Sequence, residues 1–359
     1  MNFIPIFIDM TPWARGPHTG VGLTAHHSFT AIQKQLANPT VHQTTFKLQG
    51  VSRVRHPNSY PSISLLRRWL GWSNSIYHSF ELKLLPVKKS HKVLTVHDLW
   101  SLYPNPFQSP SFQKTQGHKL RKSILKADHI AVPSESVREQ LNTHFPALKT
   151  PISVVPWGPS VPNQNAIAES VELKNYLSQQ RPFILCVATL EKRKNYEGLL
   201  ESFKPELAQQ VDLVTVGQLG FGGEEIHSTL QSMRRKYLKG IDLRTASPAD
   251  LQALYHQCKG LVLVSQDEGF GIPVLEALSF GKPIIASNIG SLKEIAGDRA
   301  KYISPSHGAE ELSVALKNLL NTPWNENDVQ TSKNRAAQFS WENTARKTLE
   351  IYQSLIETN

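Results

Sequence analysis

Residues 261–287, LVLVSQDEGFGIPVLEALSFGKPIIAS, constrain the fold more than any other stretch of the chain. Leu261 to Ser265 is an apolar run of strand length, and Pro283 to Ser287 reads as the next strand. Between them Glu268-Gly269-Phe270-Gly271 forms a loop. Pro273 can open a helix at its first position, and Gly281 stands where a left-handed cap would close it. Strand, loop, helix and strand in that order make the crossover unit of parallel α/β sheets. Such a loop can aim backbone N–H groups and a helix N-terminus at one point, which is how proteins hold phosphate.

Two carboxylates modify that reading. Glu268 lies in the loop and Glu276 about one turn inside the helix, with seven residues between them. A carboxylate beside a diphosphate is repelled by it, so this pair suits hydroxyl groups, and sugars offer many. The string Glu268-Gly269-Phe270-Gly271-Ile272-Pro273 followed by Glu276-Ala277 resembles the Glu–seven–Glu signature of retaining glycosyltransferases of family four (glycosyl transferases group 1), which have the GT-B fold. Either glutamate alone would read as a surface residue or a partner of the helix dipole. The whole string in this context does not.

At 359 residues the chain is long enough for two domains, each with its own core. No run of about 18 apolar residues occurs, so no membrane span is expected, and the apolar start reads as a first strand and not as a signal peptide. Cys186 and Cys258 are far apart and outside any CxxC. They indicate neither a disulfide framework nor a zinc cluster, and a reducing cytoplasm is the default. Asp-x-Asp, HExxH, P-loop and GxSxG strings are absent. No metal or cofactor is therefore expected, and a departing diphosphate must be neutralised by the protein itself. Candidates are Lys194, Arg193, the backbone of Gly269–Ile272 and a helix dipole.

Charge divides the chain. Residues 1–160 hold 18 Lys+Arg against 6 Asp+Glu, and residues 161–359 hold 21 against 23. The basic half favours an anionic partner, such as a membrane surface, a phosphorylated lipid, an anionic glycan or nucleic acid. Residues 61–77, PSISLLRRWLGWSNSIY, interleave Leu and Trp with Arg67 and Arg68. That composition suits contact with an anionic membrane, and equally a helix that packs its apolar residues inward. No helix-turn-helix, zinc module or RNP-like string speaks for nucleic acid.

In chain order, Phe3 to Asp9 suits a buried parallel strand. A loop ending in Gly20-Val21-Gly22 follows, ahead of a helix over 23–36. Val93 to Val96 is a strand with His97-Asp98 at its C-terminal end, where open α/β sheets bind ligands. Ser136 and Glu139 have capping-box spacing. The polar segment 159–170 reads as a linker, placing domains at 1–160 and 161–338. Leu190-Glu191-Lys192-Arg193-Lys194-Asn195 then follows a strand at 183–189, and its cations suit a diphosphate. Ser247-Pro248 opens a helix over 248–257. A last helix from Trp341, with Ala345, Leu349, Tyr352 and Ile356 at helical spacing, can pack on either domain.

The family resemblance implies two doubly wound Rossmann-like domains facing across a cleft, an N-terminal one for acceptor and a C-terminal one for nucleotide sugar. It implies a last helix that crosses back to the first domain. The implied reaction moves a hexose from a nucleoside diphosphate sugar to an acceptor hydroxyl with retention. By the resemblance Gly20 and Gly22 face the donor diphosphate, and Arg193 and Lys194 bind it with Gly269, Phe270, Gly271 and Ile272. Glu276 holds the ribose, Glu268 the transferred sugar, and His97 supports the oxocarbenium-like transition state. Thr189 stands where some relatives carry an arginine, which shifts weight to Lys194. The TLEKRKN string resembles bacterial mannosyltransferases, so GDP-mannose leads as donor, with UDP-glucose and dTDP-rhamnose open. A lipid-linked glycan or lipopolysaccharide at the inner membrane face is the implied acceptor. The alternatives are a sugar-phosphate synthase with a soluble acceptor and a non-catalytic protein that binds nucleotide sugar or nucleic acid.

Overall fold

The computed structural model describes residues 4–16, 19–37, 46–52, 75–85, 87, 89–163, 166–306 and 308–357. The chain forms two compact units. One comprises Met1–Asn105, Pro110–Ser160 and Phe339–Asn359, and the other Pro106–Ser109 and Val161–Gln338.

The first unit is built on six strands among the described residues: β1 (Ile4–Asp9), β2 (Phe46–Val51), β3 (Ser75–Ser79), β4 (Ser90–Thr95), β5 (His129–Val132) and β6 (Ile152–Val154). They lie in the order β2-β1-β3-β4-β5-β6 and every neighbouring pair is parallel. Crossovers run through α1 (Thr11–Arg15), α2 (Gly20–Leu36), α3 (Pro110–Ile124) and α4 (Glu135–His144). Burial on both faces explains why β3 and β5 carry no exposed residue. Of the aromatic and basic stretch 61–77, residues 61–74 lie outside the described residues, and Ser75, Ile76 and Tyr77 are buried in β3.

Two local expectations need correction. Gly20 and Gly22 do not form a turn ahead of the helix but its first residues. Thr19, in extended backbone, caps α2 by accepting from the Gly22 N–H at 3.1 Å, so the helix starts three residues early. A side chain on Gly22 would put its Cβ 2.2 Å from the Gly16 carbonyl oxygen, so close backbone approach demands glycine there. Likewise Ser134, and not Ser136, caps α4 by accepting from the Val137 N–H at 3.2 Å. Ser134 alone has the extended backbone a cap needs, and Ser136 already lies inside the helix.

The second unit carries β7 (Phe183–Val187), β8 (Asp212–Val216), β9 (Asp242–Leu243), β10 (Gly260–Leu263), β11 (Ile284–Ser287) and β12 (Ala300–Ile303). Their order is β12-β11-β10-β7-β8-β9, again all parallel. This is the doubly wound order of nucleotide-binding sheets, with its reversal between β7 and β10. The connecting helices begin with α5 (Val171–Leu177), α6 (Tyr196–Ser202), α7 (Pro205–Gln210) and α8 (Gly223–Lys236). They continue with α9 (Pro248–Gln257), α10 (Ile272–Ser279), α11 (Gly290–Ala296), α12 (Ala309–Asn321) and α13 (Glu326–Ala336). Ser247 caps α9 by accepting from the Asp250 N–H at 3.1 Å, with Pro248 in the first turn. After α10, Gly281 adopts φ +67°, the left-handed conformation that ends a helix.

The last helix, α14 (Trp341–Glu357), belongs to the first unit. Ala345, Leu349, Ile351 and Tyr352 join Ile6, Ile8 and Ile32 in one core cluster. Trp341 Nε1 donates to the Pro159 carbonyl at 2.8 Å and Thr344 Oγ1 to that of Pro156 at 2.6 Å. No helix among the described residues is long and apolar enough to cross a membrane.

The first unit buries histidines in neutral form. His78 lies between Tyr352, 2.7 Å from Nδ1, and Thr95, 2.8 Å from Nε2, and burial pushes its pKa down to about 3. Burial also lowers His27 and His97, each to about 4. These folded values lie below the unfolded value of about 6.5, so the unfolded chain takes up protons first as pH falls. The stability they contribute is complete above pH ~6.5 and is lost on the way down towards pH 4. Thermal unfolding of the wild type should therefore drop by about 5 °C or more between pH 7 and pH 4.5. His78→Leu should flatten that slope; an unchanged slope would show that His78 is not held neutral.

Candidate active site

The second sheet reverses its order between β7 and β10, and the loops leaving the C-terminal ends of these two strands lie where sheets of this kind bind ligands. After β7, Lys192–Lys194 make one 3₁₀ turn. Asn195 follows in the left-handed conformation at φ 54° and caps α6. After β10, the chain runs through Glu268 to Gly271, which precedes α10 at φ 111°. A Cβ at Gly271 would also lie 2.4 Å from Leu292, so backbone and packing both require glycine.

The two loops are cross-linked by charge. Lys194 Nζ lies 2.6 Å from Glu268 Oε1, with both side chains nearly buried. Ser265 Oγ donates to the same carboxylate oxygen at 2.7 Å, and Ser291 Oγ donates to the Glu268 carbonyl at 2.7 Å. Arg193 donates from Nη2 to Glu191 Oε1 at 2.9 Å and from Nη1 to the Asp267 carbonyl at 2.7 Å. Its Nη1 is 3.7 Å from Glu268 Oε2, and its own carbonyl accepts from the Gln266 N–H at 2.8 Å. Burial alone would raise the Glu268 carboxyl, but Lys194, then Arg193, hold it below its ordinary value. Glu268 is therefore ionised at neutral pH.

Glu276 sits on the buried side of α10, and its Oε2 accepts from Tyr255 of α9 at 2.7 Å. Burial, and then the Glu276 charge, push the Tyr255 hydroxyl well above its ordinary pKa, so it stays a donor. Phe270 is buried behind the loop, and Ile272 is the first residue of α10. Lys194, Arg193, Glu268, Gly269, Phe270, Gly271 and Ile272 thus share one place, with Glu276 deeper in the same helix. Gly20, Gly22 and His97 belong to the other unit. The first two lie at the start of α2, and a Cβ on Gly20 would meet nothing within 4 Å. His97 follows β4 with Nε2 2.9 Å from the Phe80 carbonyl and its ring 5.2 Å from that of Trp157. A carbonyl only accepts, so Nε2 carries the proton and Nδ1 is an acceptor.

Glu191, Ser265, Ser291 and Tyr255 have no place in the sequence-based site. Local reading offers one hint, the acid two residues before Arg193. The contacts of Arg193 and Lys194 with the second loop span 74 residues and follow only from strand order.

The family described as Glycosyl transferases group 1 matches residues 170–338, and Glycosyltransferase Family 4 matches residues 43–159. The chain is a family four, group 1 glycosyltransferase. O-antigen chain mannosyltransferase B of Escherichia coli is 28% identical over 79% of this chain and 75% of its own length. Serotype-specific mannosyltransferase WbdA of Escherichia coli is 30% identical over 80% of this chain, which spans only 36% of that relative. Among solved structures, sucrose-phosphate synthase from Thermosynechococcus elongatus superposes with a TM-score of 0.75 at 18% identity, covering 99% of this chain and 100% of that one. WaaG, a glycosyltransferase involved in lipopolysaccharide biosynthesis, gives 0.69 at 16% identity, covering 97% and 99%. At such identities these two carry the fold, which is GT-B. The activity class of this glycosyltransferase is that of a hexosyltransferase.

Removing one member of a buried ion pair strands the other. Glu268→Gln should therefore lower the unfolding free energy by about 3 kcal/mol, and Glu268→Leu with Lys194→Met should recover much of that loss. Urea unfolding of the wild type and these two variants checks this, and a neutral single substitution would contradict the buried pair.

Proposed function

We propose that this hexosyltransferase moves mannose from GDP-mannose to a hydroxyl of a glycan or lipid-linked glycan, with retention, in polysaccharide or lipopolysaccharide assembly. The observation that carries the donor site is Lys194 and Glu268 side by side next to the start of α10, a cation and a carboxylate at the switch point of the sheet. The names of the relatives support mannose: O-antigen chain mannosyltransferase B, WbdA, and O-antigen chain mannosyltransferase RfbU of Salmonella typhimurium.

In the proposed reaction the bond from the anomeric carbon to the diphosphate breaks. The acceptor oxygen bonds to that carbon on the same face, and its proton passes to the departing diphosphate. Lys194, the Gly269–Ile272 backbone and the positive end of α10 meet the charge that develops there, with Arg193 behind them. The start of α2 at Gly20 and Gly22 is assigned to the diphosphate as well. Glu268 accepts from a hydroxyl of the transferred sugar and Glu276 from the ribose. His97, neutral and with Nδ1 as acceptor, takes a further sugar hydroxyl as charge builds on the ring. With the charge met by protein groups, the reaction is assigned no metal, and turnover should persist in excess EDTA. A lipid-linked acceptor would place the enzyme at the inner face of the cytoplasmic membrane, and the basic first 160 residues suit an anionic surface.

Thermal stabilisation by a panel of nucleotides and nucleotide sugars tests the donor. GDP at about a hundred times its Kd should stabilise by about 2.7 kcal/mol, and Lys194→Ala and Glu276→Ala should each reduce the shift. GDP-mannose should then be consumed in transfer. Stabilisation by UDP and not GDP would overturn the mannose assignment, and no shift with any nucleotide would overturn the donor site.

A further inference from the structure

Arg193 and Lys194 are adjacent in sequence, yet the structure uses them differently. We propose that Arg193 is a positioning residue and not a donor ligand, and that Glu191 holds its guanidinium away from Glu268 so that one oxygen of that carboxylate stays open to the sugar. This rests on the donor-site reading given above and adds Glu191 to the residues that the reaction needs.

The distances make the distinction. Arg193 is 9% exposed, and its two terminal guanidinium nitrogens donate within the protein, Nη2 to Glu191 at 2.9 Å and Nη1 to the Asp267 carbonyl at 2.7 Å. Among the described residues the Lys194 ammonium has one hydrogen-bond partner, Glu268 Oε1 at 2.6 Å, and an ammonium has three donors. Lys194 can therefore keep Glu268 and still donate to a phosphate oxygen, whereas the planar guanidinium of Arg193 is held in place with both terminal nitrogens aimed at protein acceptors.

Glu268 is itself used asymmetrically. Its Oε1 accepts from Lys194 and from Ser265, while among the described residues Oε2 has no cation or donor nearer than the Arg193 Nη1, at 3.7 Å. That separation is Coulombic reach, beyond hydrogen-bond length. A guanidinium beside a carboxylate ordinarily closes into a two-pronged pair. Here Glu191 competes for it at 2.9 Å and prevents that closure. The β8 exit loop makes the room: a Cβ on Gly220 would lie 2.9 Å from Glu191 Oε2. With Glu191 neutralised, Arg193 loses its charged partner and captures Glu268, taking the oxygen that a sugar hydroxyl needs.

The test compares wild type, Glu191→Gln, Arg193→Met and the double variant. Glu191→Gln should lower kcat with GDP-mannose by tenfold or more while GDP affinity stays within threefold. Arg193→Met should likewise leave GDP affinity within threefold. The double variant should be several-fold more active than Glu191→Gln alone, because no guanidinium remains to capture Glu268; a merely structural role predicts the opposite. A tenfold loss of GDP affinity in Arg193→Met, or a double variant no better than Glu191→Gln, would overturn the proposal. Carboxyl NMR of Glu268, assigned with Glu268→Gln, reads the same contact without any donor. Its titration midpoint should fall in Glu191→Gln and rise in Arg193→Met, and no movement in Glu191→Gln would sink the capture. If wild type fails to bind GDP yet these midpoints move as stated, the donor reading fails and the positioning role stands. Glu191→Asp, with its shorter reach to Arg193, serves in the same measurements if the glutamine variant does not fold.

Discussion

The buried contact between Lys194 and Glu268 is the interaction on which the second unit's site depends. It joins two loops that the strand order sends in opposite directions from β7 and β10. Burying two charges is costly, and pairing seldom repays it unless further hydrogen bonds complete both ions. Ser265 and the nearby Arg193 supply part of that completion at Glu268, and Glu191 and the Asp267 carbonyl take up the terminal nitrogens of Arg193 in turn. Hydrophobic residues could join the loops at lower cost. An ionic cluster kept at the open edge of a nucleotide-type sheet makes better sense as preorganised charge.

Parallel pairing is what makes this possible. Every strand in each sheet points the same way, so every βα connection leaves from the same edge. Residues distant in sequence are collected there without a local motif. In the second unit the edge gathers the Lys192–Lys194 turn, the Gly220 loop and the Glu268 loop. In the first unit it gathers the start of α2 after β1 and His97 after β4. The second edge is rich in paired charge, whereas the first unit holds histidines that burial keeps neutral.

Much of the fold is legible where one residue's chemistry decides an outcome. Ser247 followed by Pro248 marks the start of α9 because a hydroxyl acceptor and a preset φ both favour helix entry. Gly281 ends α10 because few other residues tolerate its positive φ. Readings fail where two neighbours compete for one role. Ser134 and Ser136 both offer a hydroxyl, and backbone conformation selects the first. Gly20 and Gly22 suggest a turn, but Thr19 supplies a cap and draws both into the helix. The site divides in the same way. Lys194, Glu268 and Gly271 stand out in the sequence, whereas Glu191 and Tyr255 become meaningful only through partners far along the chain.

By itself the sequence determined the class of this protein: two parallel α/β halves, and a loop whose glycines, helix start and spaced glutamates suit a nucleotide sugar. Those features depend on conformational limits of single residues and on short-range spacing, and both are local. Only the tertiary structure decided which groups face one another. It paired Lys194 with Glu268, committed Arg193 to Glu191 and Asp267, and placed Tyr255 against Glu276. It also returned the last helix to the first unit, where the apolar stripe of that helix meets β1 and α2. The physical reason is common to all of these. Strand order brings together residues far apart in the chain, and charge and burial then select among the partners each one meets.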